Sequence, residues 1–156
     1  MTRAKMPIVS GAGSSGDPHH QFGFSFDQRR CTGCKTCEMA CRDYHDLGTG
    51  PAFRTVHEYA GGTWIQNDEG AWEHDVFAFY VSMSCNHCTN PVCLRFCASD
   101  AIAKDDFGFV RVDAARCTGC QVCALSCPYH APRFSEASAH IEKCDGCFDR
   151  VAAEIG

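Results

Sequence analysis

The sequence predicts an α+β fold made of two small cysteine-rich modules, one nested in the other, with a small antiparallel β insert. Three observations favour this architecture. Fourteen cysteines in 156 residues fall into four groups, a segment that contains one group is repeated, and the stretch between the first two groups is rich in aromatic and β-branched residues. The groups, in chain order, are Cys31, Cys34, Cys37 and Cys41; Cys85, Cys88, Cys93 and Cys97; Cys117, Cys120, Cys123 and Cys127; and Cys144 and Cys147.

The third group has the most regular spacing. It reads C-x2-C-x2-C-x3-C and is followed by Pro128, which is the run that binds a 4Fe–4S cluster in bacterial ferredoxins. In that run the first three thiolates surround one cluster, and the fourth binds the other cluster of a pair. Gly119 allows the backbone to turn close to the cluster. The spacing therefore predicts a bacterial-ferredoxin-like module and a second cysteine run that completes it.

Residues 1–21 are rich in Gly, Ser and Pro and predict a flexible N-terminal tail. His19 and His20 within this tail are expected to be solvated, the alternative being weak metal binding. Residues 22–27 then alternate apolar and polar side chains and predict a strand that leads into the first cysteine group. A short helix is expected after Cys41, ending near Gly48 and Pro51.

The first group repeats the third. Both contain Arg-Cys-Thr-Gly-Cys, at 30–34 and 116–120, and both follow a Phe-Gly-Phe sequence, at 22–24 and 107–109. A strand, a cysteine loop and a short helix are therefore the predicted repeating unit.

Residues 48–84 predict the antiparallel β insert. The predicted strands are residues 54–59, 63–66 and 72–83. They are separated by turn signals, at Gly61-Gly62 and at residues 67–70. The large aromatic residues are expected to form the insert's own core, the alternative being an interface surface. These residues are Trp64, Trp72, Phe77, Phe79 and Tyr80.

The second and fourth groups are irregular. In the second group Cys93 is displaced by two residues from the regular position, and Ala98 stands where proline is usual. His87 lies between two cysteines and is expected to be exposed or hydrogen-bonded, because thiolate suits a cluster better than imidazole. The fourth group stops after two cysteines and is followed by a helical pattern at residues 148–155.

Three kinds of cysteine chemistry compete. Disulfides have no need of repeated C-x2-C-x2-C runs, and cysteines this close in sequence pair with strain. Structural zinc sites combine two separated C-x2-C pairs. Three thiolates in one loop, followed by a fourth, favour 4Fe–4S clusters.

The pairing rule of two-cluster ferredoxins then predicts four ligand sets. Set A is Cys117, Cys120, Cys123 and Cys97, and set B is Cys85, Cys88, Cys93 and Cys127. Set C is Cys31, Cys34 and Cys37, with its fourth ligand missing, and set D is Cys144, Cys147 and Cys41, also one ligand short. The sequence thus predicts tandem bacterial-ferredoxin-like modules, that is, two 2×4Fe–4S modules with one nested in the other, and two fully ligated clusters. Because two ligands are missing, we expect the chain to be incomplete at its C-terminus.

This scheme divides the chain into five parts. They are the tail (1–21), the first half of the outer module (22–47), the insert (48–84), the inner two-cluster module (85–139) and the start of the second half of the outer module (140–156).

The order of the groups, with the insert between the first two, resembles the iron–sulfur electron-transfer (beta) subunit of the dimethyl sulfoxide reductase family of molybdoenzymes. The likeness includes CTGCKTCE at 31–38, EYAGG at 58–62, SCNHC at 84–88, CPY at 127–129 and KCDGC at 143–147. Tetrathionate and polysulfide reductases and formate dehydrogenases share the cysteine frame. The segments at 58–62 and 84–88 point more narrowly to the dimethyl sulfoxide branch.

The resemblance implies a non-catalytic subunit of an anaerobic respiratory complex, with no catalytic residues of its own. Such a subunit relays single electrons through four 4Fe–4S clusters from a quinol-oxidising integral-membrane anchor to a molybdopterin catalytic subunit. It is a peripheral subunit at a prokaryotic cell membrane, on a side that the sequence leaves open. A free-standing polyferredoxin and a zinc-stabilised interaction module are the alternatives, and the aromatic insert disfavours the first of them.

Charge and apolar content disfavour a nucleic-acid partner and a membrane-spanning segment. The net charge is −5, which disfavours a nucleic-acid partner. No stretch approaches the run of about 18 apolar residues that spans a membrane, and residues 1–20 show no signal-peptide core. Arg29-Arg30 is followed by a cysteine loop and not by the apolar run of an export signal. We therefore expect no direct membrane insertion, and any membrane association to come through another subunit.

Four cations flank the cysteine loops. They are Arg30, Lys35, Arg116 and Lys143. A cation close to a cluster offsets its negative charge and raises its reduction potential. The alternative is that all four side chains are merely solvated, and the sequence does not choose between the two.

Overall fold

The computed structural model describes residues 23–48 and 52–153. These residues form two compact units: an N-terminal unit, Ser25–Ser84, and a C-terminal unit that contains the described residues from Cys85 onward. The predictions for residues 1–21, with His19 and His20, and for Phe22 and Pro51 lie outside the described residues. Among the described residues, no helix has the length and apolar character needed to cross a membrane.

The N-terminal unit starts with a 3₁₀ turn, Gln28–Arg30, and continues into helix α1, Thr36–Tyr44. The carboxylate of Asp27 accepts a hydrogen bond from the N–H of Arg29 at 3.0 Å and so caps the turn. Helix α1 begins directly after Lys35, whose left-handed φ of 59° ends the cysteine loop. The predicted helix therefore exists, but it starts within the cysteine group and not after it.

The strand predicted at residues 22–27 is wrong in its described part. Residues 23–27 have no regular secondary structure. Alternating apolar and polar side chains are compatible with a strand, but a strand also needs a neighbouring strand for its backbone hydrogen bonds. The sequence pattern does not show whether such a neighbour exists.

The insert is one long antiparallel hairpin with a break in each arm. Its outer strands are β1, Thr55–Gly61, and β4, Phe77–Met83, paired from Thr55↔Met83 to Gly61↔Phe77. Its inner strands are β2, Trp64–Gln66, and β3, Trp72–His74. The side-chain oxygen of Asn67 accepts hydrogen bonds from the N–H groups of Glu69 and Ala71 and fixes the connecting turn. The turn predicted at residues 67–70 is confirmed.

The turn predicted at Gly61-Gly62 is wrong, because β1 pairs with β4 and not with β2. Gly62 instead forms a kink, with φ at +94° and space so limited that an added Cβ would lie 2.5 Å from the carbonyl oxygen of Asp75. The Asp75 carboxylate accepts a hydrogen bond from the N–H of Thr63 at 2.7 Å. The predicted strand 72–83 is therefore broken at Asp75 and Val76, opposite the kink.

The aromatic core predicted for the insert is also wrong. Trp64 and Trp72 are 60% and 62% exposed, and Phe77 is 51% exposed. The rings pack side by side along the hairpin, with the ring centroids of Phe77 and Phe79 6.0 Å apart. A two-stranded hairpin has no second layer with which to enclose large side chains. Tyr80 is half-buried.

The C-terminal unit alternates short helices with two hairpins. In chain order it contains α2 (Val92–Arg95), β5 (Ile102–Lys104), β6 (Val110–Val112), α3 (Val122–Ser126), β7 (Arg133–Ser135), β8 (His140–Glu142) and α4 (Phe148–Ala152). Strands β5 and β6 pair with each other, as do β7 and β8, both antiparallel. The core contains Cys93, Ile102, Val110, Cys123 and Ile141.

The strand predicted at Phe107-Gly-Phe109 is displaced toward the C-terminus. Residues 105–109 form the turn between β5 and β6, with Gly108 at φ +83°. The carboxylate of Asp105 accepts hydrogen bonds from the N–H groups of Phe107 and Phe109 and closes this turn. Strand β6 begins only at Val110.

Candidate metal-cluster site

One cavity of the C-terminal unit is lined by four cysteines from two different groups. The four are Cys97, Cys117, Cys120 and Cys123. The remaining lining is mainly apolar: Phe96, Ser99, Ala101, Ile102, Val112, Thr118 and Ile141. Helices α2 and α3 pack against each other. Cys97 follows the C-cap residue of α2, Phe96, and lines the same cavity as the loop of the third group. This cavity thus brings together the residues of set A.

The thiols around this cavity influence one another electrostatically. Burial raises the pKa of Cys123 to about 11, and the charges of Cys97, Cys117 and Cys120, followed by that of Cys93, act in the same direction. Thiolates at this spacing repel one another unless a positive group lies among them. Iron supplies such a charge and binds thiolate in preference to thiol. The donor chemistry of the cavity therefore fits a 4Fe–4S cluster.

Hydrogen bonds reach two of these sulfur atoms. The N–H of Ala101 lies 3.3 Å from Sγ of Cys97, and the N–H of Ile141 lies 3.4 Å from Sγ of Cys117. Burial alone would raise the pKa of Cys97, but hydrogen bonds from Ser99, Ala101 and Ile102 outweigh it and lower the pKa. Donors to cluster thiolates are one of the means by which a protein sets the reduction potential.

Cys93 of the second group lies in the same core cluster as Cys123 of the third. Burial raises the pKa of Cys93, and the charges of Cys85 and Cys127 raise it as well. These three residues belong to set B, and Cys93 also acts on Cys123 of set A. For the fourth member, Cys88, the main-chain carbonyl accepts a hydrogen bond from the ammonium of Lys104 at 3.0 Å.

His87 is buried and hydrogen-bonded. Its exposed fraction is 4%, and its Nδ1 accepts a hydrogen bond from the N–H of Val110 at 2.9 Å. Burial, followed by the charges of Lys143 and Lys104, lowers its pKa to about 3, so the ring is neutral. The prediction of an exposed or hydrogen-bonded histidine is confirmed in its hydrogen-bonded form.

The first and fourth groups lie in different units. In the N-terminal unit, hydrogen bonds from Thr36 are the main cause that lowers the pKa of the exposed Cys34, and Sγ of Cys37 lies 3.4 Å from the hydroxyl of Ser82. In the C-terminal unit, burial raises the pKa of Cys144 to about 11. All four ligand sets stay predictions. Set C is one ligand short, and set D takes residues from both units.

Within residues 23–48 and 52–153, no three or more His, Cys, Asp or Glu side chains are grouped so as to hold a single metal ion.

Of the four cations beside the loops, three are solvated. Arg30 has 89% of its side chain exposed, Arg116 has 51%, and Lys35 is also exposed. Lys143 differs, because it is only 6% exposed. Sequence reasoning could not separate these residues, since burial depends on the packing of the whole unit.

Comparison with known proteins places the chain among iron–sulfur proteins. Residues 76–155 match the family described as the 4Fe-4S dicluster domain. The chain is 54% identical over 132 residues to one of the chains of the anaerobic dimethyl sulfoxide reductase of Escherichia coli (strain K12), a match that covers 85% of this chain and 64% of the relative.

More distant relatives come from other reductases. The chain is 33% identical over 155 residues to a subunit of the tetrathionate reductase of Salmonella typhimurium, covering 99% of this chain and 59% of the relative. It is 33% identical over 135 residues to the thiosulfate reductase electron transfer subunit PhsB of Salmonella typhi, covering 86% and 67%. The match to the dimethyl sulfoxide reductase relative spans 64% of that protein's length. These matches confirm the resemblance that the motifs indicated.

Proposed function

Since this chain is a member of the 4Fe–4S dicluster domain family, we propose that it relays single electrons within a respiratory reductase complex. A bound 4Fe–4S cluster accepts and releases electrons one at a time. The observation that carries the proposal is the cavity lined by Cys97, Cys117, Cys120 and Cys123. Its cysteines come from two groups in the crossed arrangement of a two-cluster ferredoxin.

The proposed ligands follow the crossed sets. Set A is supported by the cavity and by the electrostatic influence of Cys97, Cys117 and Cys120 on Cys123. Set B, which is Cys85, Cys88, Cys93 and Cys127, is supported by the influence of Cys85 and Cys127 on Cys93. Sets C and D, and the nesting of one two-cluster module in the other, rest on the cysteine spacing alone.

We propose that the chain is a non-catalytic subunit and that substrate chemistry takes place in a partner. The relatives support this role: the one from Escherichia coli is named as a chain of an anaerobic dimethyl sulfoxide reductase, and the one from Salmonella typhi as an electron transfer subunit. The proposed partners are a molybdopterin catalytic subunit and a quinol-oxidising integral-membrane anchor, with this chain peripheral to the membrane. The higher identity favours dimethyl sulfoxide over tetrathionate as the substrate of the complex.

The exposed aromatic side chains of the insert support a subunit over a free-standing polyferredoxin. Trp64, Trp72 and Phe77 are each at least half exposed, and clustered apolar side chains on a surface are typical of interfaces. Co-purification tests this point. A chain that is isolated as a monomer and transfers electrons without a large partner would contradict the subunit role.

The crossed ligation is tested with pairs of serine variants of the anaerobically reconstituted chain. Cys97→Ser and Cys120→Ser are expected to remove or alter the same EPR component of the reduced protein. Cys127→Ser and Cys88→Ser are expected to affect a different component together. Ser126→Ala is the matched control, because Ser126 lies between Cys123 and Cys127 and is not a member of any ligand set.

Two results would contradict the proposal. If Cys97→Ser and Cys88→Ser affect one component, each cysteine group binds its own cluster and the crossed sets are wrong. If the protein takes up zinc and contains no acid-labile sulfide, it is not an electron relay at all.

A further inference from the structure

A cation directly precedes the first cysteine in three of the four groups. The residues are Arg30, Arg116 and Lys143. Arg30 is exposed and lies 3.5 Å from the carboxylate of Asp27, and Arg116 is half exposed and lies 4.0 Å from that of Asp100. Lys143 is buried. One sequence position thus holds two solvated cations and one that is removed from water.

The ammonium of Lys143 is held by main-chain oxygens. It donates hydrogen bonds to the carbonyl of Val110 and, at 2.6 Å, to the carbonyl of Cys144. None of the ion pairs found in the described part of the chain gives it a carboxylate within 4.0 Å. A buried charge held by neutral groups alone is strongly unfavourable, so an opposing charge is expected close by.

The opposing charge is expected from cysteines. The ammonium of Lys143 binds the carbonyl of Cys144 and that of Val110, whose N–H is donated to His87 in the loop between Cys85 and Cys88. Its other neighbour, His87, provides no charge, because its Nδ1 accepts the N–H of Val110. The ammonium therefore lies beside the loops of the second and fourth cysteine groups, and of these two groups only the second belongs to a set with all four ligands, set B.

We propose that Lys143 supplies a fixed positive charge to the 4Fe–4S cluster held by set B and thereby raises its reduction potential. This inference rests on the proposed function and on the set B ligands. Reduction adds one electron, delivered by the upstream donor, and moves no atom. A positive charge in a site shielded from water stabilises the more negative, reduced state more than the oxidised one.

Redox titration of the reconstituted full chain tests the proposal, with dithionite as the reductant and EPR as the readout. Lys143→Met keeps an unbranched side chain and removes the charge. It is expected to lower the midpoint potential of one component by about 59 mV or more, which is a tenfold change in the equilibrium constant of a one-electron couple. Because the charge is buried, the shift should persist at high ionic strength.

Two further variants isolate the charge. Arg116→Met removes the exposed cation at the matching position and is expected to leave every midpoint potential at its wild-type value. Lys143→Arg keeps the charge and is expected to restore most of the potential lost in Lys143→Met. Unchanged potentials in Lys143→Met, or equal shifts in Lys143→Met and Arg116→Met, would overturn the proposal.

A variant that loses the cluster is also informative. Lys143→Gln can still donate hydrogen bonds to the carbonyls of Val110 and Cys144. Loss of the same component in the Met and Gln variants, with retention in the Arg variant, supports a requirement for charge. Loss in all three variants overturns the proposal, because shape would then be the requirement. Failure of the proposed function is seen separately, as wild-type protein without sulfide or a reduced EPR signal.

Discussion

The residue before the second cysteine has a left-handed backbone in every cysteine group. The residues are Gly33, His87, Gly119 and Gly146, with φ values of 71°, 44°, 69° and 76°. Glycine adopts this conformation without steric cost, whereas an L side chain does not. His87 adopts it while its ring accepts the buried N–H of Val110. The sequence motif predicts the turn, but it does not reveal that the histidine replaces a glycine.

Gly119→Ala is expected to destabilise the chain. The left-handed backbone alone costs an alanine about 1–2 kcal/mol, and the new Cβ would also lie 2.7 Å from the carbonyl oxygen of Ala139. Gly70→Ala is the control, because Gly70 has a similar φ of +81° but no neighbouring atom closer than 3.8 Å. Chemical denaturation should show the larger loss of unfolding free energy for Gly119→Ala. Equal losses would mean that the loop moves away from Ala139 freely.

Among the structural elements, the insert hairpin shows what local sequence can and cannot predict. Its turn at residues 67–70 is readable because Asn67 fixes it through its own side chain. Gly61-Gly62 is equally compatible with a turn and with a kink, and the long-range pairing of β1 with β4 decides between them. The strand expected at residues 22–27 is wrong in its described part for the same reason, because a local pattern does not show whether a neighbouring strand is present.

The kink is expected to depend on Asp75. Asp75→Ala removes the acceptor for the N–H of Thr63, which is 2.7 Å away, and should cost about 0.5–1.5 kcal/mol. Amide hydrogen exchange at Thr63 should become faster. Asp75→Asn keeps an acceptor oxygen and should exchange close to the wild-type rate. Slow exchange in Asp75→Ala would show that Gly62 holds the kink without this hydrogen bond.

For the whole molecule, the division between buried and exposed side chains is what the sequence predicts least well. The spacing of the cysteines names Cys97 as a companion of the third group, and the structure places it in the same cavity. Nothing in the spacing distinguishes the buried Lys143 from the exposed Arg116, or Trp72 at the surface from a core residue. Spacing describes short segments, whereas burial results from all the elements that pack around a side chain.

Trp72→Ala is expected to change the unfolding free energy of the chain by no more than about 0.5 kcal/mol, because Trp72 is 62% exposed. It should instead reduce co-purification with the proposed catalytic partner. Ile141→Ala is the contrast, since Ile141 is 2% exposed in the core of the C-terminal unit and its truncation should cost about 2–5 kcal/mol. Comparable losses for both variants in chemical denaturation would show that the aromatic residues are structural.

Val110 joins the loops of the second and fourth cysteine groups through its backbone atoms. Its N–H is donated to His87, its carbonyl accepts from Lys143, and its side chain packs in the core at 1% exposure. Substitutions other than proline at this position would therefore report only on packing and would leave both hydrogen bonds intact. Proline would remove the donor and keep the acceptor. The loops of the second and fourth cysteine groups can therefore be uncoupled at Val110 only by a change in its backbone. Mutagenesis that varies the side chain alone will classify Val110 as an ordinary core residue.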